Sequence, residues 1–386
     1  MRKRKKQKRS IYNNIMAIIF IIAIFGITII NIVSKDKTFS DMENRSLTQK
    51  PRFDIDNLVE GRYTKKYEKY VNDQFIDRTE FINIKASIDN LLGRSDNNGV
   101  YRGKDNYLFE SFDVPNKEAE DKNIDAINKF ADKYKDINFN FMLVPISTTV
   151  LKDKLPEDAP VVDEKKYVNK FSDKLSDRIK FLYLYDTMKA HKDEYIYYRT
   201  DHHWTTLGAY YGYEAFMKSV DVEPKSLDNY NEDLVTNEFY GTLFSKGLFK
   251  VKKPDSINIY TPKDNNDEAI ITYVEEQQKT ASFYNSEYLK KRDKYGMFLA
   301  GNHPLVEIET NSDEEKTLLI FKDSYANCFV PFLTSHYKKI ILVDPRYYYE
   351  DIDELMKNDN VTDVLYLYNS ETFFQDNSLS GVLNND

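Results

Sequence analysis

The sequence of 386 residues contains one cysteine, Cys328, and only five histidines. A single cysteine excludes an internal disulfide framework and the cysteine-rich sites that hold zinc or iron–sulfur clusters. Five histidines leave few imidazoles for a metal site. The chain also lacks a basic surplus beyond its N-terminus: residues 1–33 hold seven Lys and Arg and no acid, so the rest carries 48 basic and 63 acidic residues, a net charge of −15. So acidic a body argues against nucleic acid as the main partner.

Long hydrophobic runs are scarce as well, because only residues 15–33 are uncharged and mostly apolar over the length of a bilayer. At about 1.5 Å per residue, such a helix crosses a hydrocarbon core of roughly 30 Å. The basic residues before the run place the N-terminus in the cytoplasm and everything from Ser34 outside the cell. We therefore expect a cytoplasmic basic segment (1–10), one transmembrane anchor in the cell membrane (11–33) and a polar stalk (34–53). A cleaved signal peptide is the alternative, although the run is longer than usual and no A-x-A-like site follows it.

The remainder, 54–386, is expected to be one extracellular domain of the α/β class. Short apolar runs typical of buried strands alternate with amphipathic stretches typical of helices. The predicted strands are 139–145, 181–185, 195–199, 317–321, 339–343 and 363–368. The predicted helices are 55–92, 117–134, 163–178, 205–220, 325–335 and 349–357. This alternation predicts a parallel sheet flanked by helices, and its interruption between about 221 and 312 predicts a β-rich insertion or lid.

The densest cluster of functional side chains is Asp201-His202-His203-Trp204-Thr205, where a predicted strand gives way to a helix. Open α/β sheets bind ligands at this rim, beyond the carboxyl ends of their strands. An Asp two residues before a His can hydrogen-bond to the imidazole and orient it as a general base. The alternative is that Thr200 or Asp201 only caps the following helix. A cap needs neither two histidines nor the only Trp of the chain, so we favour the functional interpretation.

A base needs a nucleophile, and Ser324 is the candidate. It follows the apolar run 318–321 and the polar corner Lys322-Asp323, and an amphipathic stretch comes next. A serine at a strand-to-helix turn presents its hydroxyl at the sheet rim, beside N–H groups that stabilise an oxyanion. The alternative is again a helix cap, formed by Asp323 or by Ser324 itself. Cys328 lies in an apolar sequence and is predicted to belong to the core rather than to act as a nucleophile.

Two further interpretations concern the same region. Asp201, His202 and His203 could surround a divalent ion, but consecutive histidines point in different directions in regular structure and the sequence has no H-x-H or H-x-x-x-H pair. We therefore expect no metal. Gly301 and Asn302 could offer an N–H and a carboxamide to an oxyanion, or form an ordinary turn.

Residues 200–205, with Gly208 and Ala209 after them, resemble the signature of the DHHW proteins. These proteins are similar to the alginate-acetylation proteins and to the wider group of SGNH-hydrolase-like O-acyltransferases. Further stretches that resemble blocks of the family are 43–47, 73–78, 100–109 and 321–327. The resemblance implies an SGNH-hydrolase-like α/β fold over most of the chain beyond the anchor.

The resemblance also implies roles for individual residues. In the alginate-acetylation proteins the signature reads Asp-Thr-His-Trp, which implies that His203 is the base and His202 its variable neighbour. A triad of Ser324, His203 and Asp201 follows, in which the serine comes last in the chain. Ordinary SGNH hydrolases have the reverse order.

We therefore expect a membrane-anchored extracellular O-acetyltransferase that acts on a hydroxyl of a cell-wall polysaccharide or exopolysaccharide, without a cofactor. Ser324 would carry the acetyl group and His203 would act as base and then as acid. The expected partners are the membrane, the polysaccharide acceptor and a multipass membrane O-acyltransferase that supplies the acyl group. The alternatives are a polysaccharide acetyl esterase and a non-catalytic polysaccharide assembly or binding protein. The residues expected to bind the oxyanion or substrate are Arg199, Trp204, Gly301, Asn302 and Tyr325.

Overall fold

The computed structural model describes residues 2–40, 45–157, 159–249, 251–263 and 268–385. Contacts divide the chain into two compact units, residues 1–93 and residues 94–386. This boundary falls inside the single domain that was expected to span residues 54–386. Residues 43 and 44, which belong to a stretch that resembles the family, lie outside the described residues.

The first unit begins with helix α1 (Arg2–Val33). Its stretch Tyr12–Val33 has a mean hydropathy of 2.9, and among the described residues it is the one helix long and apolar enough to cross a membrane. Most of its large apolar side chains are exposed. A helix with an unburied apolar surface of this length fits the predicted single-pass anchor.

The rest of the first unit is a short strand pair and three helices. The pair is β1 (Phe39–Ser40) and β2 (Arg45–Ser46), and the helices are α2 (Ile55–Val59), α3 (Arg62–Asp73) and α4 (Arg78–Leu91). The prediction that residues 55–92 are helical is thus confirmed. The carboxylate of Asp73 joins the strands to α3, because it accepts hydrogen bonds from the Arg45 guanidinium at 2.6 and 3.0 Å and from the Thr48 N–H at 2.8 Å.

The second unit contains thirteen described strands and nine described α-helices. Its strands are β3 (Asp96–Asn97), β4 (Val100–Arg102), β5 (Leu108–Glu110), β6 (Asn138–Val144), β7 (Ile179–Tyr183), β8 (Tyr230–Phe239), β9 (Asp255–Pro262), β10 (Ala269–Tyr273), β11 (Gln278–Thr280), β12 (Leu305–Thr310), β13 (Thr317–Lys322), β14 (Lys339–Val343) and β15 (Asp363–Asn369). Its helices are α5 (Lys117–Lys133), α6 (Ser147–Val150), α7 (Glu164–Ser172), α8 (Tyr185–Ala190), α9 (Thr206–Ser219), α10 (Thr242–Gly247), α11 (Ile352–Asn358), α12 (Ser370–Gln375) and α13 (Ser378–Asn384).

Eight of these strands form the central sheet, in the order β11-β10-β12-β14-β13-β15-β6-β7. The five strands from β14 to β7 run parallel, with Leu319 of β13 opposite Ile341 on one side and Val364 on the other. The three remaining strands extend the sheet antiparallel from β14. The α/β class is confirmed, and the sheet is mixed rather than wholly parallel.

The predicted insertion 221–312 is β-rich, but only part of it is separate from the central sheet. The hairpin β8–β9 forms a sheet of its own, whereas β10, β11 and β12 lengthen the central sheet. Ile271 of β10 and Ile308 of β12 lie opposite each other and are fully buried. In a separate lid these apolar side chains would be exposed to water, so their burial favours pairing with the central sheet.

The core lies on both faces of the sheet. In β13 the side chains of Leu318 and Ile320 enter one apolar cluster, and those of Leu319 and Phe321 enter the other. All four are fully buried. Alternate side chains of a strand point to opposite faces, so burial of both sets requires helices on both sides, as predicted.

Two predicted elements are wrong. Residues 325–335 form two short 3₁₀ segments, Ser324–Cys328 and Val330–Leu333, instead of one α-helix. Pro331 has no N–H to donate to an α-helical ladder, and the side chains here are buried on every side rather than on one face. Residues 195–199 do not form a strand of the sheet, because Tyr197 makes only an isolated bridge to Trp204.

Candidate active site

Ser324 lies at the carboxyl end of β13, on the rim of the sheet. Asp323 precedes it and caps the 3₁₀ turn, since its carboxylate accepts hydrogen bonds from the N–H of Tyr325 at 2.9 Å and of Asn369 at 2.8 Å. The cap is therefore Asp323, one of the two alternatives considered for this corner. The hydroxyl of Ser324 is left to face another partner.

The loop 195–205 supplies that partner. The bridge between Tyr197 and Trp204 closes the loop, and the buried carboxylate of Asp255 in β9 holds it from outside. Asp255 accepts hydrogen bonds from the N–H groups of Arg199 at 2.9 Å and Thr200 at 2.7 Å. The loop before α9 is thus held by a residue from a strand distant in sequence.

The loop brings Asp201 and His203 to Ser324. His203 Nε2 lies 2.7 Å from Ser324 Oγ, and His203 Nδ1 lies 2.5 Å from Asp201 Oδ1. Asp201 and His203 are only 1% and 5% exposed, whereas Ser324 is partly open to solvent. Asp201, His203 and Ser324 therefore form one continuous line of hydrogen bonds between residues up to 123 positions apart.

The second oxygen of Asp201 is held by the start of α10. Asp201 Oδ2 accepts hydrogen bonds from the N–H of Thr242 at 2.7 Å and from its hydroxyl at 3.1 Å. Gly241 passes so close that a Cβ placed on it would lie 2.3 Å from Asp201 Oδ2. Only a glycine leaves room for the carboxylate there. Neither Gly241 nor Thr242 stands in a sequence pattern that indicates a functional site.

The electrostatics of the pair favour an ionised Asp201 and a neutral His203. Burial alone would raise the pKa of Asp201, but both neighbouring imidazoles and the hydrogen bonds to the carboxylate lower that pKa well below its usual value. Burial, with the neighbouring His202, lowers the pKa of His203 to about 4. At neutral pH the imidazole has a free lone pair and can accept a proton.

Tyr295 is a further neighbour that the sequence analysis missed. Its ring stacks on the imidazole of His203 with centroids 3.7 Å apart and an interplanar angle of 11°. Its hydroxyl is 3.1 Å from the carbonyl oxygen of Ser324 and 3.3 Å from Cys328 Sγ. Cys328 itself is buried, as predicted, and burial raises the pKa of its thiol to about 12, so the thiolate is absent at neutral pH.

Three of the five residues expected to bind the oxyanion or substrate make contacts within the fold. Trp204 is fully buried, and its indole N–H donates to the carbonyl of Tyr325 at 3.0 Å, so it ties the two loops together. The hydroxyl of Tyr325 in turn donates to the carbonyl of His202. The guanidinium of Arg199 lies over the ring of Tyr195 at 4.4 Å, and no contact joins it to Ser324 within the described part of the chain.

Gly301 and Asn302 form a turn that is held by buried polar side chains. The amide of Asn327 donates to the Gly301 carbonyl at 3.1 Å and to Asn302 Oδ1 at 3.2 Å, and the Lys322 ammonium donates to Asn302 Oδ1 at 3.1 Å. Burial lowers the pKa of Lys322 to about 8. Gly301 has a φ of +104°, which a residue with a Cβ rarely adopts. No hydrogen bond joins this turn to Ser324 among the described residues.

Asp201, His202 and His203 also place possible metal ligands within 4.8 Å of one another. However, both ring nitrogens of His203 already have hydrogen-bond partners, and both oxygens of Asp201 accept from two donors each. A metal ion here would have to replace these hydrogen bonds. The donor set therefore fits a hydrogen-bonded triad better than a metal centre.

The sequence model of a family described as DHHW protein matches residues 99–343, more than half of the chain. The chain belongs to the DHHW family. Among solved structures, a DHHW family protein from Eubacterium siraeum superposes with a TM-score of 0.66 and 26% identity, over 75% of this chain and 96% of its own length. PatB1 of Bacillus cereus, in a structure with a sulfonyl adduct, gives a TM-score of 0.62 and 23% identity over 72% of this chain and 97% of its own.

A more distant likeness is the O-acetyltransferase domain of Pseudomonas putida AlgJ, with a TM-score of 0.44 and 14% identity over 75% of this chain and 100% of that domain. No curated protein sequence matches the chain significantly. The DHHW resemblance read from residues 200–205 is thus confirmed, and the matched range lies within the second unit. The similarity in fold extends over nearly the whole length of the Eubacterium and Bacillus proteins.

Proposed function

We propose that this DHHW protein is a membrane-anchored extracellular O-acetyltransferase that acts on a polysaccharide hydroxyl through Ser324, His203 and Asp201. The observation that carries the proposal is the line of hydrogen bonds from Asp201 through the neutral His203 to the hydroxyl of Ser324. This arrangement activates a serine as nucleophile. The likeness of the 200–205 signature to that of the alginate-acetylation proteins favours acetyl as the acyl group.

In the first half of the reaction Ser324 Oγ attacks the carbonyl carbon of the donor ester. His203 Nε2 takes the serine proton, and the nearby Asp201 carboxylate stabilises the resulting imidazolium. His203 then gives this proton to the leaving oxygen of the donor. The product is an acetyl ester on Ser324.

In the second half the acceptor hydroxyl replaces the donor. It loses its proton to His203 Nε2 while its oxygen attacks the carbonyl carbon of the serine ester. Ser324 Oγ leaves and takes that proton back, so the acetyl group ends on the acceptor and the enzyme is restored. Water in place of the acceptor gives hydrolysis, the esterase alternative.

The developing oxyanion needs hydrogen-bond donors, and Asn302 is the proposed one. Its Oδ1 accepts from Lys322 and Asn327, and its NH₂ group has no hydrogen-bond partner among the described residues. An amide held by two neighbours is a preorganised donor, as oxyanion stabilisation requires. Gly301 allows the turn that presents this side chain.

The apolar helix and the polysaccharide acceptor together define the proposed location of the protein. A helix that fits a membrane anchor precedes an acidic body, which suits a catalytic unit held outside the cell near its polysaccharide. The acetyl donor is then delivered through the membrane, and we propose a multipass membrane O-acyltransferase as the partner that delivers it. No cofactor takes part in either half reaction.

Labelling with a fluorophosphonate tests the serine chemistry. The full-length protein in detergent micelles is expected to react at Ser324, identified by mass spectrometry, because the reagent traps a nucleophilic serine. Ser324→Ala and His203→Ala should both lose the label. His191→Ala is the matched control, since His191 also pairs with a carboxylate, that of Glu194, but lies outside the site. An unlabelled Ser324 in the unaltered protein would favour the non-catalytic binding protein.

A further inference from the structure

A cavity of about 60 Å³ lies beside the triad, at the carboxyl ends of β6, β15 and β13. Among the residues that line it are His202, Tyr325, Thr148, Glu110 and Glu371. It holds a few water-sized groups, but not a whole sugar ring. The ring of His202 lies against that of His203, with centroids 3.9 Å apart, so a group in this cavity that contacts His202 is close to the proposed base.

The second histidine of the signature is oriented toward this cavity. His202 Nδ1 lies 2.6 Å from the hydroxyl of Thr242, and that hydroxyl also contacts Asp201 Oδ2 at 3.1 Å. Thr242 therefore bridges the triad carboxylate and His202. Within the described chain no hydrogen bond engages His202 Nε2, and the side chain of His202 is 38% exposed. Its outer nitrogen is the one left to meet a ligand.

Most of the surface that lines the cavity is apolar, and its polar part includes two carboxyl groups. Among the described residues that line it there are two carboxylates, Glu110 and Glu371, together with several hydroxyls and the amide of Asn369, but no Lys or Arg. Carboxylates and hydroxyls form hydrogen bonds with the hydroxyl groups of a sugar, and small sites use a few such groups for specificity. A negative charge from an acidic sugar would meet the Glu371 carboxylate in a poorly solvated place, whereas the charge of Glu110 is offset by the ammonium of Lys246.

The charge state of Glu371 is consistent with such a site. Burial raises the pKa of Glu371 to about 7, although it accepts a hydrogen bond from the N–H of Asp113 at 2.9 Å. Glu110 pairs with the ammonium of Lys246. An additional anion next to Glu371 would raise that pKa further, which is the energetic cost that an acidic acceptor would carry.

We infer that this cavity is the acceptor subsite and that it receives a hydroxyl-bearing group of a neutral sugar, with His202 as the hydrogen-bonding residue. The inference rests on the proposed acetyl transfer and adds two things to it. It gives the second histidine of the signature a role in binding the acceptor, and it excludes polysaccharides whose reacting sugar carries a carboxylate or phosphate.

The test separates acetylation of the enzyme from transfer to the acceptor. The full-length protein in detergent micelles is mixed with p-nitrophenyl acetate, and the nitrophenol burst reports acetylation of Ser324. Transfer is then measured by mass spectrometry with a neutral N-acetylglucosamine oligomer and with an acidic galacturonate oligomer. We expect transfer to the neutral oligomer to be at least tenfold faster than to the acidic one.

Substitutions test which residues cause the preference for a neutral acceptor. His202→Ala should lower the ratio of the transfer rate to the acetylation rate about tenfold, because one hydrogen bond to the acceptor is lost. The paired change Glu110→Gln with Glu371→Gln should raise transfer to the acidic oligomer relative to the neutral one. His191→Ala, of similar exposure but outside the cavity, should leave both rates unchanged.

Failure of the inference and failure of the proposed function look different. Without a burst or an acetylated Ser324, the proposed function is wrong and the inference falls with it. An acetylated Ser324 that transfers to neither oligomer, or as fast to the acidic one, overturns the acceptor subsite and leaves the serine chemistry intact. An unchanged ratio in His202→Ala with unchanged selectivity in the double glutamine variant also overturns it.

Discussion

At the scale of single residues, the site depends on an imidazole, that of His203, which stays neutral at pH values where a histidine is ordinarily protonated. His203 is buried against Asp201, Tyr295 and Ser324, and it lies under His202. Burial disfavours the charged imidazolium more than the carboxylate favours it, so the pKa of His203 falls to about 4. An imidazole with this pKa is mostly neutral, and so able to accept a proton, at pH values above about 4.

The pH profile of acetylation follows from this pKa. The base is active when neutral, so the burst rate with p-nitrophenyl acetate should be constant from about pH 8 to about pH 5 and should fall through about pH 4. An ordinary histidine would lose half of the rate near pH 6.5. Stopped-flow measurement of the burst between pH 3.5 and 8, with Ser324→Ala as the background, decides between the two. A midpoint near 6.5 would mean that His203 is solvated in the working enzyme.

Local sequence was sufficient to find the three hydrogen-bonded residues Asp201, His203 and Ser324. It did not reveal the residues that hold these three in place. Asp201 and His203 are two positions apart, and Ser324 follows an apolar strand, so short-range patterns reveal all three. Thr242 and Tyr295 act through contacts made across the fold, and neither stands in a pattern that differs from an ordinary turn. The close approach of a glycine to a carboxylate becomes visible only in three dimensions.

At the scale of elements, the start of α10 acts as a rigid support for the triad. Gly241 has a φ of −84° and a ψ of −165°, an extended conformation open to any residue, so its small size matters rather than its backbone freedom. A Cβ here would lie 2.2 Å from the Cβ of Asp201, far inside contact distance. The backbone would have to move, and Thr242 with it.

Gly241→Ala is therefore expected to damage both stability and catalysis. Forcing a methyl group into a packed site costs about 1–3 kcal/mol, which lowers the melting temperature by several degrees in a unit of this size. The burst rate should fall at least tenfold, because the shift withdraws the Thr242 N–H from Asp201. Gly381→Ala is the matched control, since a Cβ there meets nothing within 4 Å. Equal behaviour of the two variants in differential scanning fluorimetry and in the burst assay would disprove the support role of Gly241.

Elements were predictable where one physical signal dominated. β6, β13, β14 and β15 are continuous apolar runs, the pattern of strands buried on both faces, and they were found close to their observed bounds. β10 and β12 are antiparallel strands near the sheet edge with alternating burial, so they resembled a separate lid. The 3₁₀ turns after Ser324 are buried on all sides, although the sequence there was interpreted as an amphipathic helix.

At the scale of the whole molecule, the region that matches the family and the long apolar helix lie in different units. The DHHW match covers residues 99–343, inside the second unit, whereas the apolar helix belongs to the first. The positive charge is concentrated in the first unit. Residues 1–33 contain seven basic residues, all before the apolar run, and no acidic residue. The sequence alone revealed this asymmetry, since hydropathy and charge need no tertiary contacts to be read.

The proposed topology places the N-terminus in the cytoplasm and everything after the anchor outside, because cations resist translocation across the membrane. Cysteine labelling in intact cells tests it, and the native Cys328 gives a silent background because it is buried. Lys50→Cys, at an exposed position, should react with a membrane-impermeant maleimide. Ser10→Cys should react only after the cells are permeabilised, and the labelled protein should stay in the membrane fraction. Labelling of Ser10→Cys in intact cells would reverse the orientation, and release of the Lys50→Cys protein into the medium would show that the apolar segment is a cleaved signal peptide.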